Sequence, residues 1–408
     1  MKCRHCHNED VQLFADLGFS PPSNAYLTAD QLSVPELHFP LRVFACRQCR
    51  LVQTEDFAQH DELFADDYAY FSSFSPAWLR HAQAYVDAMI ARFRLDNASH
   101  VVEVAANDGY LLQYVKSAGI GCLGIEPTTS TADAAREKGI DIVEEFFGVA
   151  LAERLVSEGK SADLTAANNV LAHVPDINDF VAGFARLLKP QGVATFEFPH
   201  LAELVKHGQF DTIYHEHYSY LSLHAVARIF AANGLSVFDV EKLPTHGGSL
   251  RIFAQRSDLG EKPVTANVAA ITAAEQAAGM DTDAYYGAMQ PRIETIKNDL
   301  VAFLIEARRK GQKVGAYGAA AKGNTLLNFA GVRPDLVPYV VDLNPAKAGK
   351  FMPASHIPIV DEAYLRNDRP DLIVILPWNL KTEIKQQLGY AREWGAKFVT
   401  AVPDLQVD

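Results

Sequence analysis

The sequence predicts an α/β protein in three parts, a small cysteine-bearing lobe followed by two parallel sheets, each packed against helices. Three observations lead there. Cys3-Arg4-His5-Cys6 and Cys46-Arg47-Gln48-Cys49 repeat one Cys-x-x-Cys spacing near the start of the chain. Val101-Val102-Glu103-Val104 runs into a small-residue turn and then a helix, as the first crossover of a doubly wound sheet does. The same strand–turn–helix pattern returns at Lys313-Val314-Gly315-Ala316-Tyr317-Gly318. The divisions expected are 1–66, 67–255 and 256–408, the last opening with a helical connector rich in alanine.

A chain of 408 residues has room for two or three domains. Its net charge of −13 works against a nucleic-acid partner, because a phosphate-binding surface needs clustered Lys and Arg. No apolar run approaches the length of a membrane span, and the first residues lack the apolar core of a signal peptide. A cytoplasmic enzyme with no membrane partner is expected. Its oligomeric state is left open, a monomer included.

In a reducing compartment, paired knuckles read as one tetrahedral zinc site made by Cys3, Cys6, Cys46 and Cys49. Four thiolates leave no open position, so the ion is expected to be structural. A redox pair would need βαβ surroundings that neither knuckle has. The gap of roughly forty residues between knuckles implies strands inside it. Leu41-Arg42-Val43-Phe44-Ala45-Cys46 is one such strand, and Leu17-Gly18-Phe19-Ser20-Pro21-Pro22-Ser23-Asn24 is loop. His5 and His7 are read as bystanders.

Next, Tyr68-Ala69-Tyr70-Phe71-Ser72-Ser73-Phe74-Ser75 suits core packing or a ligand wall. A helix is expected at about 77–93. The strand at 100–104 ends in Ala105-Ala106-Asn107-Asp108-Gly109, without the three-glycine dinucleotide fingerprint. About twenty residues on, Cys122-Leu123-Gly124-Ile125 ends in Glu126-Pro127, where an acid can accept both hydroxyls of a ribose. Strands are also expected at 162–167, ending in Asn168-Asn169 and followed by His173, and at 193–199, after a Leu-Lys-Pro-Gln-Gly turn. Polar residues at the C-terminal ends of strands face the ligand crevice of such a sheet.

Tyr214-His215-Glu216-His217 places a phenol, two imidazoles and a carboxylate in four consecutive positions. If the stretch is helical, Tyr214 and His217 share a face; if extended, Tyr214 pairs with Glu216 and His215 with His217. Either geometry offers an acid/base pair, and a polar surface loop would look the same. His217 is the first candidate base, since an imidazole titrates near neutrality. Tyr214 can hydrogen-bond a keto oxygen, and Glu216 can orient an imidazole or hold a hydroxyl. Further on, Thr245-His246-Gly247-Gly248-Ser249-Leu250-Arg251 offers His246, Ser249 and Arg251 to a substrate, or is a plain hairpin with Arg251 on a carboxylate.

The third part carries Tyr317, a glycine-rich turn, Lys322 and Asn324 at the start of a helix, whose free N–H groups favour an anion. A nucleotide diphosphate fits that turn better than a nicotinamide cofactor, because the spacing departs from the dinucleotide fingerprint. A tight turn with no ligand has the same pattern. Later strands are expected at 339–341, ending at Asp342, and at 371–376.

Glu103-Val104-Ala105-Ala106-Asn107-Asp108-Gly109, Glu126-Pro127, the Leu-Lys-Pro-x-Gly turn and the strand at 194–198 resemble a class I S-adenosylmethionine-dependent methyltransferase. With the zinc knuckles, the 214–217 cluster, the 245–251 stretch and the C-terminal sheet in order, the whole chain resembles the sugar C-methyltransferases. These act on nucleotide-linked 4-keto-deoxyhexoses.

The resemblance implies a zinc-binding lobe, a class I methyltransferase domain and a second Rossmann-like domain. It implies S-adenosyl-L-methionine as donor, Zn2+ as structural metal and a nucleotide-diphosphate 4-keto-deoxysugar as substrate, methylated at C-3 through an enolate. It assigns His217, Tyr214, Glu216 and His173 to catalysis. Donor binding falls on Glu103, Asn107, Gly109, Glu126, Pro127 and Asn168, with Tyr68 and Ser72 closing over it. O- or N-methylation, or a nucleotide-sugar binder without catalysis, are the alternatives.

Overall fold

The computed structural model describes residues 1–55 and 71–408, so Tyr68 lies outside the described residues. The N-terminal lobe is an antiparallel sheet of β1 (Val11–Ser20), β2 (Phe39–Cys46) and β3 (Val52–Thr54). Its last strand arrives from far downstream. The two-residue strand at Ser219–Tyr220 pairs with β3, Val52 opposite Tyr220 and Gln53 opposite Ser219. The lobe is therefore completed by the residues that directly follow His217.

The second sheet has seven strands. These are β4 (His100–Val104), β5 (Gly121–Ile125), β6 (Ile142–Val143), β7 (Ala162–Asn168) and β8 (Leu188–Pro199), with β9 the Ser219–Tyr220 strand of the lobe, then β10 (Leu235–Leu243) and β11 (Ser249–Arg256). The order across the sheet is β10-β11-β8-β7-β4-β5-β6. β4, β5, β6, β7 and β8 run parallel, and β11 is antiparallel to both of its neighbours. Val101, Val102 and Val104 are all buried, as the continuous apolar runs of a sheet covered on both faces require. The turn expected before residue 193 is absorbed into β8. Leu188 pairs with Ala162 and Val193 with Leu164, so the Lys-Pro-Gln-Gly residues form an irregularity in the ladder.

The third sheet, in order β14-β13-β12-β15-β16-β17, contains β12 (Val314–Tyr317), β13 (Val340–Val341), β14 (Ile359–Val360), β15 (Leu372–Ile375), β16 (Lys397–Thr400) and β17 (Gln406–Val407). All its pairings are parallel except that of β17.

The connector is more than a tether. Helix Met289–Arg309 buries Ile293, Ile296, Leu300, Leu304 and Ala307, spaced three or four apart along one stripe. That stripe joins Phe14 and Val43 of the lobe to Val314 and Val374 of the third sheet in one core. A second core packs Cys3, Cys46 and Cys49 against Val102, Leu123 and Phe196 of the seven-stranded sheet. Helix Pro76–Phe93 starts with Ser75 accepting from the Trp78 N–H and with proline in its first turn. It carries Trp78, His81 and Tyr85 to the end of the second sheet. Among the described residues no helix is long and apolar enough to cross a membrane.

Candidate active site

The two knuckles are built alike. In each, the residue after the second cysteine has positive φ, His7 at 59° and Arg50 at 64°. Each returns its N–H to the first cysteine's carbonyl, His7 to Cys3 and Arg50 to Cys46, both at 2.9 Å. The four sulfurs lie within 4.8 Å of one another. The Cys3–Cys49 and Cys6–Cys46 separations are 3.5 Å. A zinc tetrahedron with bonds of about 2.3 Å needs sulfurs roughly 3.8 Å apart, so the four thiols fit the ion. His5 Nδ1 is bonded to Asn178 Oδ1 at 2.8 Å.

From this lobe the structure reaches the acid/base cluster. Residues 214–217 form neither helix nor strand but a turn, closed by the His217 N–H on the Tyr214 carbonyl at 2.9 Å. The turn packs the Tyr214 ring against that of His217, centroids 4.0 Å apart and planes tilted by 33°. His173, just beyond β7, meets the same ring edge-on at 4.6 Å. His217 Nδ1 donates to the Thr212 carbonyl at 2.8 Å. Burial, then the charge of His173, holds His217 well below the usual imidazole range. The ring is therefore neutral at pH 7 and its lone pair sits on Nε2.

Glu216 is also buried, which raises its pKa to about 7. Its carboxylate accepts from Asn24 of the lobe rather than from an imidazole of its own turn. His215 turns its Nε2 to the Pro40 carbonyl at 3.3 Å. The backbone behind the turn is also held by the lobe. Thr54 donates from its hydroxyl to the His217 carbonyl at 3.1 Å, and from its N–H to that of Tyr218 at 3.2 Å.

The third sheet supplies the opposite wall. Lys322 Nζ donates to Asn379 Oδ1 at 3.1 Å and lies over the Trp378 ring at 4.9 Å. Its charge helps to lower the pKa of both His217 and His246. The indole N–H of Trp378 donates to Asp211 at 2.7 Å, and burial lifts Asp211 to about 6. Trp378 also crowds Gly247, whose φ is +88° and where a Cβ would come within 2.5 Å of the indole. His246 sits beside it at φ 55°, costly for a residue with a Cβ. Burial, then Lys322, lowers His246 to about 4, and its Nδ1 has no hydrogen-bond partner.

The residues expected to hold the donor lie at the ends of β4, β5 and β7. Ala105, Asn107 and Gly109 all have positive φ, a conformation free for glycine, tolerated by asparagine and costly for Ala105. The turn after β4 is held by Glu126 Oε2, which accepts the Asn107 N–H at 2.9 Å, and by Asn107 Oδ1, which accepts the Ser72 N–H at 2.9 Å. Pro127 follows, half-buried. Glu103 is fully buried with only the Tyr110 hydroxyl, among the described residues, set against its carboxylate, and the side-chain oxygens of Asn168 and Asn169 are buried without partners. Such atoms call for a ligand rich in donors, and the ammonium and ribose hydroxyls of S-adenosylmethionine fit them.

Several expected substrate residues are engaged inside the protein. Arg251 donates to the fully buried Glu197 at 2.8 Å, which also bonds His81 and Thr245. Ser249 donates to the Thr245 carbonyl, Asn324 to the Ser23 carbonyl, and Gln387 to the Tyr317 hydroxyl. Glu197 with His81, Trp378 with Asp211, and Asn24 were missed by sequence reasoning. Each acquires its role from a partner more than a hundred residues away, and no local pattern signals it.

A strand-end turn with unpartnered acceptors in a seven-stranded sheet, beside a half-buried imidazole–phenol cluster, fits an S-adenosylmethionine-dependent methyltransferase. Residues 3–64 match the family described as "Putative zinc binding domain", 78–240 "Methyltransferase domain" and 244–403 "C-methyltransferase C-terminal domain". The C-methyltransferase NovU of Streptomyces niveus is 30% identical over 406 residues, 100% of this chain and 96% of that one. The chain belongs to this C-methyltransferase family. A ubiquinone biosynthesis O-methyltransferase of Bartonella tribocorum is 26% identical over 94 residues, 23% of this chain and 38% of that one. The structure of magnesium protoporphyrin IX methyltransferase from Synechocystis with bound SAH is 16% identical, covering 44% of this chain and 83% of that one at a TM-score of 0.35.

Proposed function

We propose that the protein methylates C-3 of a nucleotide-linked 4-keto-deoxysugar through an enolate. The observation that carries this is the Tyr214–His217–His173 ring cluster, which lies where the donor sheet, the lobe and Lys322 of the third sheet converge. A carbon beside a ketone needs a neutral base and a group that steadies the enolate oxygen. His217 Nε2 takes the C-3 proton, and the Thr212 carbonyl holds the imidazolium that results through Nδ1–H. Tyr214 donates to the keto oxygen, and His173 braces the base from the donor side. Glu216 holds a sugar hydroxyl.

Glu103, Asn107, Gly109, Glu126, Pro127 and Asn168 hold the donor, with Ser72 and Tyr68 closing over it. Bound S-adenosylmethionine supplies a methyl group made electrophilic by its sulfonium. The zinc is structural. The nucleotide lies against the third sheet, where Lys322 borders the Gly318 turn and His246 stands across from it on the second sheet; Tyr317, Asn324, Ser249 and Arg251 shape that wall through their internal hydrogen bonds. A branched, methylated nucleotide sugar is the product.

Incubation of the protein with the keto sugar in heavy water, without donor, tests the reading. Exchange at C-3 is expected. Donor-dependent methylation of an oxygen or nitrogen, with C-3 unexchanged, would refute it.

A further inference from the structure

The sequence reads 17–24 as loop, but residues 17–20 are the end of β1, and residues 20–27 form a strap between the 214–217 turn and the third sheet. On one side, Asn24 Nδ2 donates to both carboxylate oxygens of Glu216, at 2.9 and 3.0 Å. On the other, the Tyr26 hydroxyl donates to the Ala319 carbonyl at 2.6 Å, inside the glycine-rich turn. The Ser23 carbonyl accepts from Asn324 Nδ2 at 2.8 Å. Leu27 and Phe351 exchange backbone hydrogen bonds at 3.0 and 2.8 Å. One short segment therefore ties the turn that borders the nucleotide crevice to the buried carboxylate of the catalytic cluster.

We propose that Asn24 is a positioning residue for the reaction, which holds the Glu216 carboxylate in place and in its charged form from a strap anchored on the Ala319 turn. The argument is one of donors and acceptors. A buried carboxylate disfavours its charge unless N–H groups face it. Asn24 supplies the hydrogen-bond donor that Glu216 has among the described residues. A protonated Glu216 keeps its carbonyl oxygen as an acceptor but turns the other oxygen into an O–H donor, so the two-oxygen contact with the Asn24 NH2 favours the carboxylate.

The other polar groups around Glu216 are already engaged. His217 Nδ1 is on Thr212 and His215 Nε2 is on Pro40. Tyr26 and Lys347 Nζ both donate to the Ala319 carbonyl, and Lys347 lies 3.7 Å from Asp342. Burial lifts Glu216 to about 7 and the Asn24 bond opposes that rise. What Glu216 does in turnover rests on the reading proposed above; what Asn24 does to Glu216 does not.

The test uses the full-length, zinc-loaded protein and Asn24→Ala, Asn24→Asp and Tyr26→Phe. Infrared difference titration follows the protonated carboxyl band, assigned by its loss in Glu216→Gln. Its midpoint, about 7 in the parent, is expected to rise by about one unit or more in Asn24→Ala and further in Asn24→Asp. The acid limb of kcat should move with it, about tenfold in rate per unit below the limb, with KM nearly unchanged. A midpoint or a limb that stays in place overturns the proposal.

Calorimetry with S-adenosylhomocysteine reports whether each variant keeps its donor site. If Asn24→Ala loses it, Tyr26→Phe decides, since it slackens the strap without touching Glu216. A smaller rise of the midpoint supports the proposal and no rise overturns it. If the parent protein turns over no keto sugar, the functional reading fails while the infrared midpoints still decide the role of Asn24.

Discussion

The Thr212 carbonyl accepts a hydrogen bond from His217 Nδ1 at 2.8 Å. A carbonyl can only accept, so the bond fixes the tautomer and directs the free lone pair to Nε2. It also keeps its sense when the ring gains a proton, because Nδ1 remains a donor in the imidazolium. The hydrogen-bond partner that orients the His217 ring is thus a backbone atom five residues away and not Glu216. Packed against a tilted Tyr214 ring and flanked by His173, the ring has little freedom to turn.

Replacing His217 by Gln keeps a similar shape and removes the base. Loss of a positioned general base costs on the order of 100- to 10,000-fold. C-3 exchange in heavy water and methyl transfer should fall together by that factor, while calorimetric affinity for S-adenosylhomocysteine stays within about threefold. Exchange that survives in His217→Gln would place the base elsewhere.

Removing zinc should disable a cluster that contains none of its ligands. The second knuckle lies between β2 and β3, and β3 carries Thr54, which holds the His217 and Tyr218 carbonyls. Structural zinc contributes on the order of 10 kcal/mol to a small lobe's fold. Chelation, or Cys46→Ser, should lower the melting temperature and cut turnover at least about 100-fold. A chelated protein with parental turnover would show that the lobe does not hold the cluster.

Much of this was legible in the chain. The β4, β5 and β7 strands stand out because their apolar runs are buried on both faces, and the zinc ligands because two knuckles repeat one spacing. The 214–217 cluster was visible as chemistry but not as geometry, since a four-residue turn has no periodicity. What the sequence hid was long-range. The pairing of β9 with β3 involves two residues, and the bond from Asn24 to Glu216 spans 192 positions. Arg251 looked like an anion ligand because an arginine is equally suited to phosphate and to carboxylate; Glu197, buried beneath it, is what the structure adds.

Glu216 should make the protein less stable as pH rises. Its folded pKa of about 7 lies above the ordinary 4.5, so the folded state binds its proton more tightly than the unfolded chain does. That favours folding fully below pH 4.5 and is lost as pH rises through 7. Glu216→Gln, which cannot ionise, should therefore gain on the parent by up to about 3 kcal/mol between pH 4 and pH 8, while losing turnover. Denaturant midpoints at both pH values measure it, and an equal difference at both would refute the assignment.

Donor affinity should depend on Glu126 more than on Asn107. Glu126 both braces the turn after β4 through the Asn107 N–H and offers a carboxylate to ribose hydroxyls. A charged hydrogen bond is worth roughly 1.5–3 kcal/mol, so Glu126→Ala should weaken S-adenosylhomocysteine binding by about 10- to 150-fold. Asn107→Ala removes the Oδ1 that accepts from Ser72 and should cost less. Calorimetry that ranked the two in the opposite order would move the ribose away from Glu126.

Lys322 makes the last prediction, because its charge acts on two imidazoles to different extents. For His246 it is the largest contribution after burial, whereas for His217 it follows burial, His173 and the Thr212 bond. A nearby cation disfavours imidazolium, so its removal raises both titration midpoints. In Lys322→Met, His246 should move up from about 4, and further than His217 moves. Asp211, lifted by burial to about 6 with Lys322 opposing the rise, should climb too. Nitrogen-15 spectra of labelled histidines resolve the two rings. Larger movement of His217 than of His246 would show that the ammonium points at the base instead of at the Trp378 wall.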